Sequence, residues 1–114
     1  MPSFKWSELE AKPLYPEHSQ AVGSIVRGEK IAVARVRYPA GTEVKAHASG
    51  REQIHSILRG QARYRVGGEE KVVGAGDAVL IRPNVEHAVQ ILEDLEVIGF
   101  QDEGPLATAP PGGA

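Results

Sequence analysis

From about Val22 to Gln101 the chain is written in short β-branched runs, each closed by glycine, proline or an acidic turn pair. The runs are Val22–Arg27, Lys30–Tyr38, Val44–His47, Glu52–Leu58, Gln61–Val66, Glu70–Val73, Ala78–Arg82, His87–Leu92 and Leu95–Gln101. No helical period lies between them. A strand buries one face only, so many short strands without helices must pack sheet on sheet or close into a barrel. Arg27-Gly28-Glu29 and Gly67-Gly68 read as hairpin connections, and Glu93-Asp94 as a tight turn. The fold expected from this pattern is all-β.

The ends differ from the middle. Residues 1–20 read as a short irregular arm, 21–103 as the barrel, and the Pro-, Gly- and Ala-rich stretch 104–114 as a disordered tail with little to bury. Within the arm, Ser7-Glu8-Leu9-Glu10 has the form of a capping box and predicts one helical turn, which Pro13 and Pro16 keep short.

Composition excludes several function classes. At 114 residues the chain is expected to form one domain, without a DNA-binding unit beside a ligand-binding one. The net charge of −2 comes without a basic run, which argues against a nucleic-acid partner. Cysteine is absent, so disulfides, thiolate metal sites and a cysteine nucleophile are excluded. No apolar stretch is long enough to cross a bilayer as a helix, and Met1–Trp6 carries no secretory h-region. A cytoplasmic protein without membrane contact is expected.

The chemistry is concentrated in two blocks. In the first, His47 lies six residues after Gly41 and is followed by Ser49, Gln53, His55 and Gly60. In the second, Gly76-Asp77 leads through an apolar run to Pro83-Asn84-Val85-Glu86 and His87. Side chains alternate along a strand, so His47 shares a face with Ser49, while Gln53, His55 and Ile57 share another. Three such strands side by side bring His47, Gln53, His55 and His87 to one interior point. Imidazole nitrogens and an amide oxygen suit Zn, Fe, Mn or Ni, and without thiolates the site should keep positions open for water or substrate.

The two blocks resemble the cupin superfamily. Its first motif runs Gly, five residues, His-x-His, three or four residues, Glu, six residues, Gly; here Gly41, His47-Ala48-Ser49, Gln53 and Gly60 occupy those places. Its second motif runs from a Gly through a strand and a Pro turn to a His, matched here by Gly76, Pro83 and His87. The resemblance implies a double-stranded β-helix, the jelly-roll barrel, holding one divalent transition metal per subunit. Two positions depart from the pattern: Ser49 replaces the second His, and Gln53 replaces the Glu. His55 stands two residues after Gln53 and compensates, either as a fourth ligand or as the catalytic acid or base.

The expected metal set is therefore His47, Gln53, His55 and His87, with Ser49 and Tyr64 as pocket residues. Tyr64 alternates with Ala62 and Val66 and should face inward, which leaves Arg63 and Arg65 to solvent. Asp77 should hydrogen-bond the local backbone of its turn. His18 is read as an ordinary surface histidine. Function is expected to be metal-dependent chemistry on a small molecule, of isomerase, lyase or cyclase type. An Fe-dependent dioxygenase and a non-catalytic ligand-binding protein are the alternatives. The apolar arm residues Phe4, Trp6, Leu9 and Leu14, with Ile54 and Leu58 on an outer face, point to a homodimer.

Overall fold

A computed structural model describes residues 1–14, 16–17 and 19–105. His18 and the tail from 106 onward lie outside the described residues. After a 3-10 turn at Trp6–Glu8 come ten strands: β1 Lys12–Pro13, β2 Val22–Arg27, β3 Ile31–Tyr38, β4 Glu43–His47, β5 Gln53–Arg59, β6 Gln61–Val66, β7 Glu69–Gly74, β8 Ala78–Ile81, β9 His87–Ile91 and β10 Leu95–Asp102. They form two antiparallel sheets, one of six strands in the order β1-β2-β3-β10-β5-β8 and one of four in the order β4-β9-β6-β7.

The expected strands are all present, two of them with the bounds expected (β2 and β6) and the others within a residue at either end. The arm departs from expectation in two ways. Its turn starts at Trp6, with Lys5 at the cap and no side-chain cap bond, so Ser7 does not cap it. Its next residues are not wholly irregular: Lys12 and Pro13 pair with Gly23 and Val22 and extend the larger sheet by one short strand. Leu14 then packs with Ala21 and Val36. That packing satisfies part of the arm's apolar surface, while Phe4 stays exposed.

Alternation along each strand decides what is inside. Ile57, Ile81, Ile91, Leu95 and Val97 are almost fully buried and form one cluster with Ala62, Tyr64, Val73 and Val89. Each such aliphatic side chain contributes about 1.5–3 kcal/mol by leaving water. Tyr64 and Ala62 face inward as predicted, and Arg65 is exposed. Gly60 makes the β5–β6 turn possible. Its φ is +85°, and a Cβ there would lie 2.1 Å from the Asp94 carbonyl oxygen, so no other residue fits. At the β7–β8 turn Asp77 accepts a hydrogen bond from Gly74 N at 2.8 Å, as its turn position predicts.

A candidate metal centre at one end of the barrel

The two histidine blocks meet through strand pairing. His47 ends β4, His87 begins β9, and the two are directly opposite in the antiparallel register. That register slips between Val44 and His47. The slip is a β-bulge, and it matters: Val44 packs against the core, so strict alternation would turn His47 outward. With the bulge, His47 joins His87 inside, ring centroids 4.3 Å apart.

Both rings are oriented by backbone two residues upstream. His47 Nδ1 lies 2.7 Å from the Lys45 carbonyl, and His87 Nδ1 lies 3.0 Å from the Val85 carbonyl. A carbonyl oxygen only accepts, so Nδ1 donates in each ring and the lone pair resides on Nε2. Imidazoles tied in this way through one nitrogen present the other to a metal in a fixed direction. The loops below them are joined as well: Asn84 N donates to the Ser49 carbonyl at 2.7 Å, and Asn84 takes a positive φ of 65° to do so.

The third strand brings Gln53 and His55. On β5 both face inward, Gln53 opposite Gln101 and His55 opposite Gly99 of β10. His55 Nδ1 lies 2.8 Å from the Tyr64 hydroxyl, and its Nε2 lies 3.1 Å from Gln53 Oε1. Burial, followed by the His87 and His47 rings, pushes the His55 pKa down to about 4, so the ring is neutral at pH 7. Burial likewise pushes the Tyr64 phenol up, which keeps it protonated.

These side chains share a cavity of about 310 Å³. His47, Ser49, Gln53, His55 and His87 form its polar side, and Ala48, Ala34, Val36 and Tyr38 with Gly99, Phe100 and Gln101 of β10 complete it. None of these described lining residues is Lys, Arg, Asp or Glu. The contribution of β3 and β10 went unseen in the sequence. Its one local signal was the inward alternation Ala34, Val36, Tyr38, which does not reveal what it faces.

The predicted residues are thus brought together, Tyr64 excepted. Ser49 lines the cavity, but its hydroxyl also accepts the Arg51 N–H at 3.1 Å and serves the turn. Tyr64 does not line this cavity. It belongs to the core cluster, touches the site through His55, and lines a separate hollow between β7 and β8. Among the described residues no three His, Cys, Asp or Glu side chains converge as a metal-holding group. A donor set here requires the Gln53 amide oxygen beside His47 and His87, and that combination fits a divalent first-row ion. Among the described residues no helix is long and apolar enough to cross a membrane.

Comparison with known proteins agrees with this architecture. The sequence model of the cupin domain matches residues 34–98. No curated protein sequence matches the chain. KdgF from a Halomonas species superposes with a TM-score of 0.78 at 20% identity, covering 92% of this chain and 96% of that one. An RmlC-like cupin from Shewanella frigidimarina gives 0.77 at 20% identity, covering 88% and 87%. A predicted oxalate decarboxylase from Thermotoga maritima gives 0.76 at 18% identity, covering 89% and 98%. At these identities the structures establish the shared jelly-roll fold and nothing finer. With the family model spanning more than half its length and the same barrel in its structural relatives, this chain belongs to the cupin family.

Proposed function

We propose that the barrel binds one divalent transition metal (Zn, Fe, Mn or Ni) through His47, Gln53 and His87, and that it acts on a small organic molecule in the adjoining cavity. The observation that carries this reading is the cross-strand pair His47–His87. Its rings are 4.3 Å apart and both are tied through Nδ1 to backbone carbonyls, so two imidazole lone pairs stand on Nε2. The sequence offered His55 as fourth ligand or as acid–base. Both of its nitrogens are engaged by protein groups, which favours three protein donors and leaves coordination positions for water or substrate.

A metal held by neutral donors would supply strong Lewis acidity, polarising a carbonyl or acidifying a substrate hydroxyl. This favours isomerase, lyase or cyclase chemistry, with dioxygenase chemistry as the alternative. The protein's own part is positional. His47 and His87 are held by β4 and β9, Gln53 lies on β5, and Ala34, Val36 and Tyr38 of β3 give the cavity an apolar wall. The lining carries no cationic side chain to receive a second carboxylate. A neutral or singly anionic substrate of modest size, bound through one or two oxygens, therefore suits the cavity better than a dianion. Metal analysis of the purified protein, then turnover with a panel of such compounds, tests the reading. Negligible metal content overturns it, and metal without turnover leaves the ligand-binding alternative.

We also propose that the protein is a homodimer. On the outer face of the larger sheet, register places Leu80, Ile54, Phe100 and Val33 in one row across four strands. Leu80, Ile54 and Phe100 are 45%, 41% and 38% exposed, with Leu58 nearby on β5. An apolar row of this length on a sheet face is a liability for a monomer. Light scattering at micromolar concentration should give twice the chain mass, and Ile54→Glu should halve it. A monomer mass for the parent contradicts the proposal.

A further inference from the structure

The direction of the hydrogen bonds around His55 is set from the Tyr64 end. Tyr64 is buried, and among the described residues the one hydrogen-bond partner of its hydroxyl is His55 Nδ1, 2.8 Å away, so the phenol O–H donates there rather than go unsatisfied. Nδ1 then holds the lone pair, and a neutral imidazole carries its one proton on Nε2. Nε2 donates in turn to Gln53 Oε1, 3.1 Å away, an oxygen that can only accept. The chain of donors runs from Tyr64 Oη–H to His55 Nδ1, and from His55 Nε2–H to Gln53 Oε1.

This direction has a consequence for Gln53. An amide side chain turns about a soft, roughly two-fold torsion, and its two ends look alike in shape. Only the oxygen end can bind a metal; the NH2 end repels one. A neighbour that can only donate selects the oxygen end, and an amide oxygen has a second lone pair for a cation. Tyr64 is well placed to enforce the choice. Its ring is buried in the core cluster, and it stands edge-on to His55 with centroids 5.8 Å apart.

We infer that Tyr64 and His55 are positioning residues: Tyr64 fixes the His55 ring as the Nε2–H form, and His55 turns the Gln53 oxygen toward His47 and His87 without itself ligating the metal. The inference rests on the metal reading above and sharpens it, since it removes His55 from the donor set and gives the core tyrosine a part in the site. It also accounts for a neutral amide serving where a carboxylate would need no such orientation, because both carboxylate ends are oxygen.

The test is zinc titration of the full chain, followed by nitrogen-15 NMR of its histidine rings, in the parent and in two variants. In the metal-free parent, His55 should show the Nε2–H form. On adding zinc, His47 and His87 should take the metal on Nε2 while His55 keeps its proton. Tyr64→Phe removes only the hydroxyl. It should give a mixture of His55 forms and weaken zinc binding roughly 10–100-fold, the usual cost of losing an orienting partner. His55→Gln should weaken zinc without abolishing uptake. Zinc bound to a His55 nitrogen overturns the inference, as does His55 in the Nδ1–H form in the metal-free parent, or unchanged His55 signals and affinity in Tyr64→Phe. A parent that takes up no zinc or other divalent metal overturns the metal reading itself, a result distinct from any of these.

Discussion

The two halves of the barrel interior are built by the same strands to opposite ends. Along β5 the inward positions change from Gln53 and His55 to Ile57; along β9 from His87 to Val89 and Ile91; along β10 from Gln101 and Gly99 to Val97 and Leu95. One half is aliphatic and closed. The other is polar and encloses a cavity of about 310 Å³. Stability should therefore reside in the first half and ligand chemistry in the second, and the two should be separable by mutation. Tyr64 sits at the seam, in the core by its ring and in the site by its hydroxyl.

The largest separable effect should come from the closed half. Ile91→Ala empties a site that is 2% exposed and should cost about 2–5 kcal/mol in denaturant unfolding. Metal uptake per folded chain should not change. A variant that loses metal affinity while fully folded would show that the halves are coupled.

The polar half makes a smaller contribution, and its sign depends on pH. Folded His55 titrates near 4, against 6.5 for an ordinary histidine. The unfolded chain therefore binds more protons between those values. Stability of the metal-free protein is complete above about pH 6.5 and falls as pH drops toward 4, by at most roughly 3 kcal/mol, since cavity water screens part of it. Chemical denaturation at several pH values should show the fall in the parent and a shallower one in His55→Gln. Equal slopes would place His55 outside the buried site.

Ser49 should matter least. Its hydroxyl accepts one backbone N–H at 3.1 Å, so Ser49→Ala should cost about 1 kcal/mol and leave metal content intact. Loss of metal in this variant would put the serine oxygen in the donor set and undo the assignment to Gln53.

The contrast between the halves also explains what could be read in the sequence. Strand bounds such as Val22–Arg27 and Gln61–Val66 were legible because β-branched runs and turn residues are local signals. The inward set on β5 and β9 was legible because strict alternation holds there. It fails on β4, where the bulge between Val44 and His47 shifts parity, and no residue there announces it. The two-residue strand β1 was missed because Lys12 and Pro13 have no strand signature; their pairing comes from docking beside β2. The facing of β3 and β10 onto the cavity, and the meeting of Tyr64 with His55 across the two sheets, depend on register and sheet packing, which spacing along the chain does not specify. The family motif located His47, Gln53 and His87. It was silent on His55, whose hydrogen-bond partners only the fold reveals.

The central claim is that the polar half holds a metal through the paired histidines. Elemental analysis of the parent and of His87→Ala, both purified without chelator, tests it most directly. The parent should carry close to one divalent transition metal per chain, and the variant should carry almost none while remaining folded, because the proposed site has three protein donors and would lose one of them. Negligible metal in the parent, or equal metal in both proteins, would contradict the account.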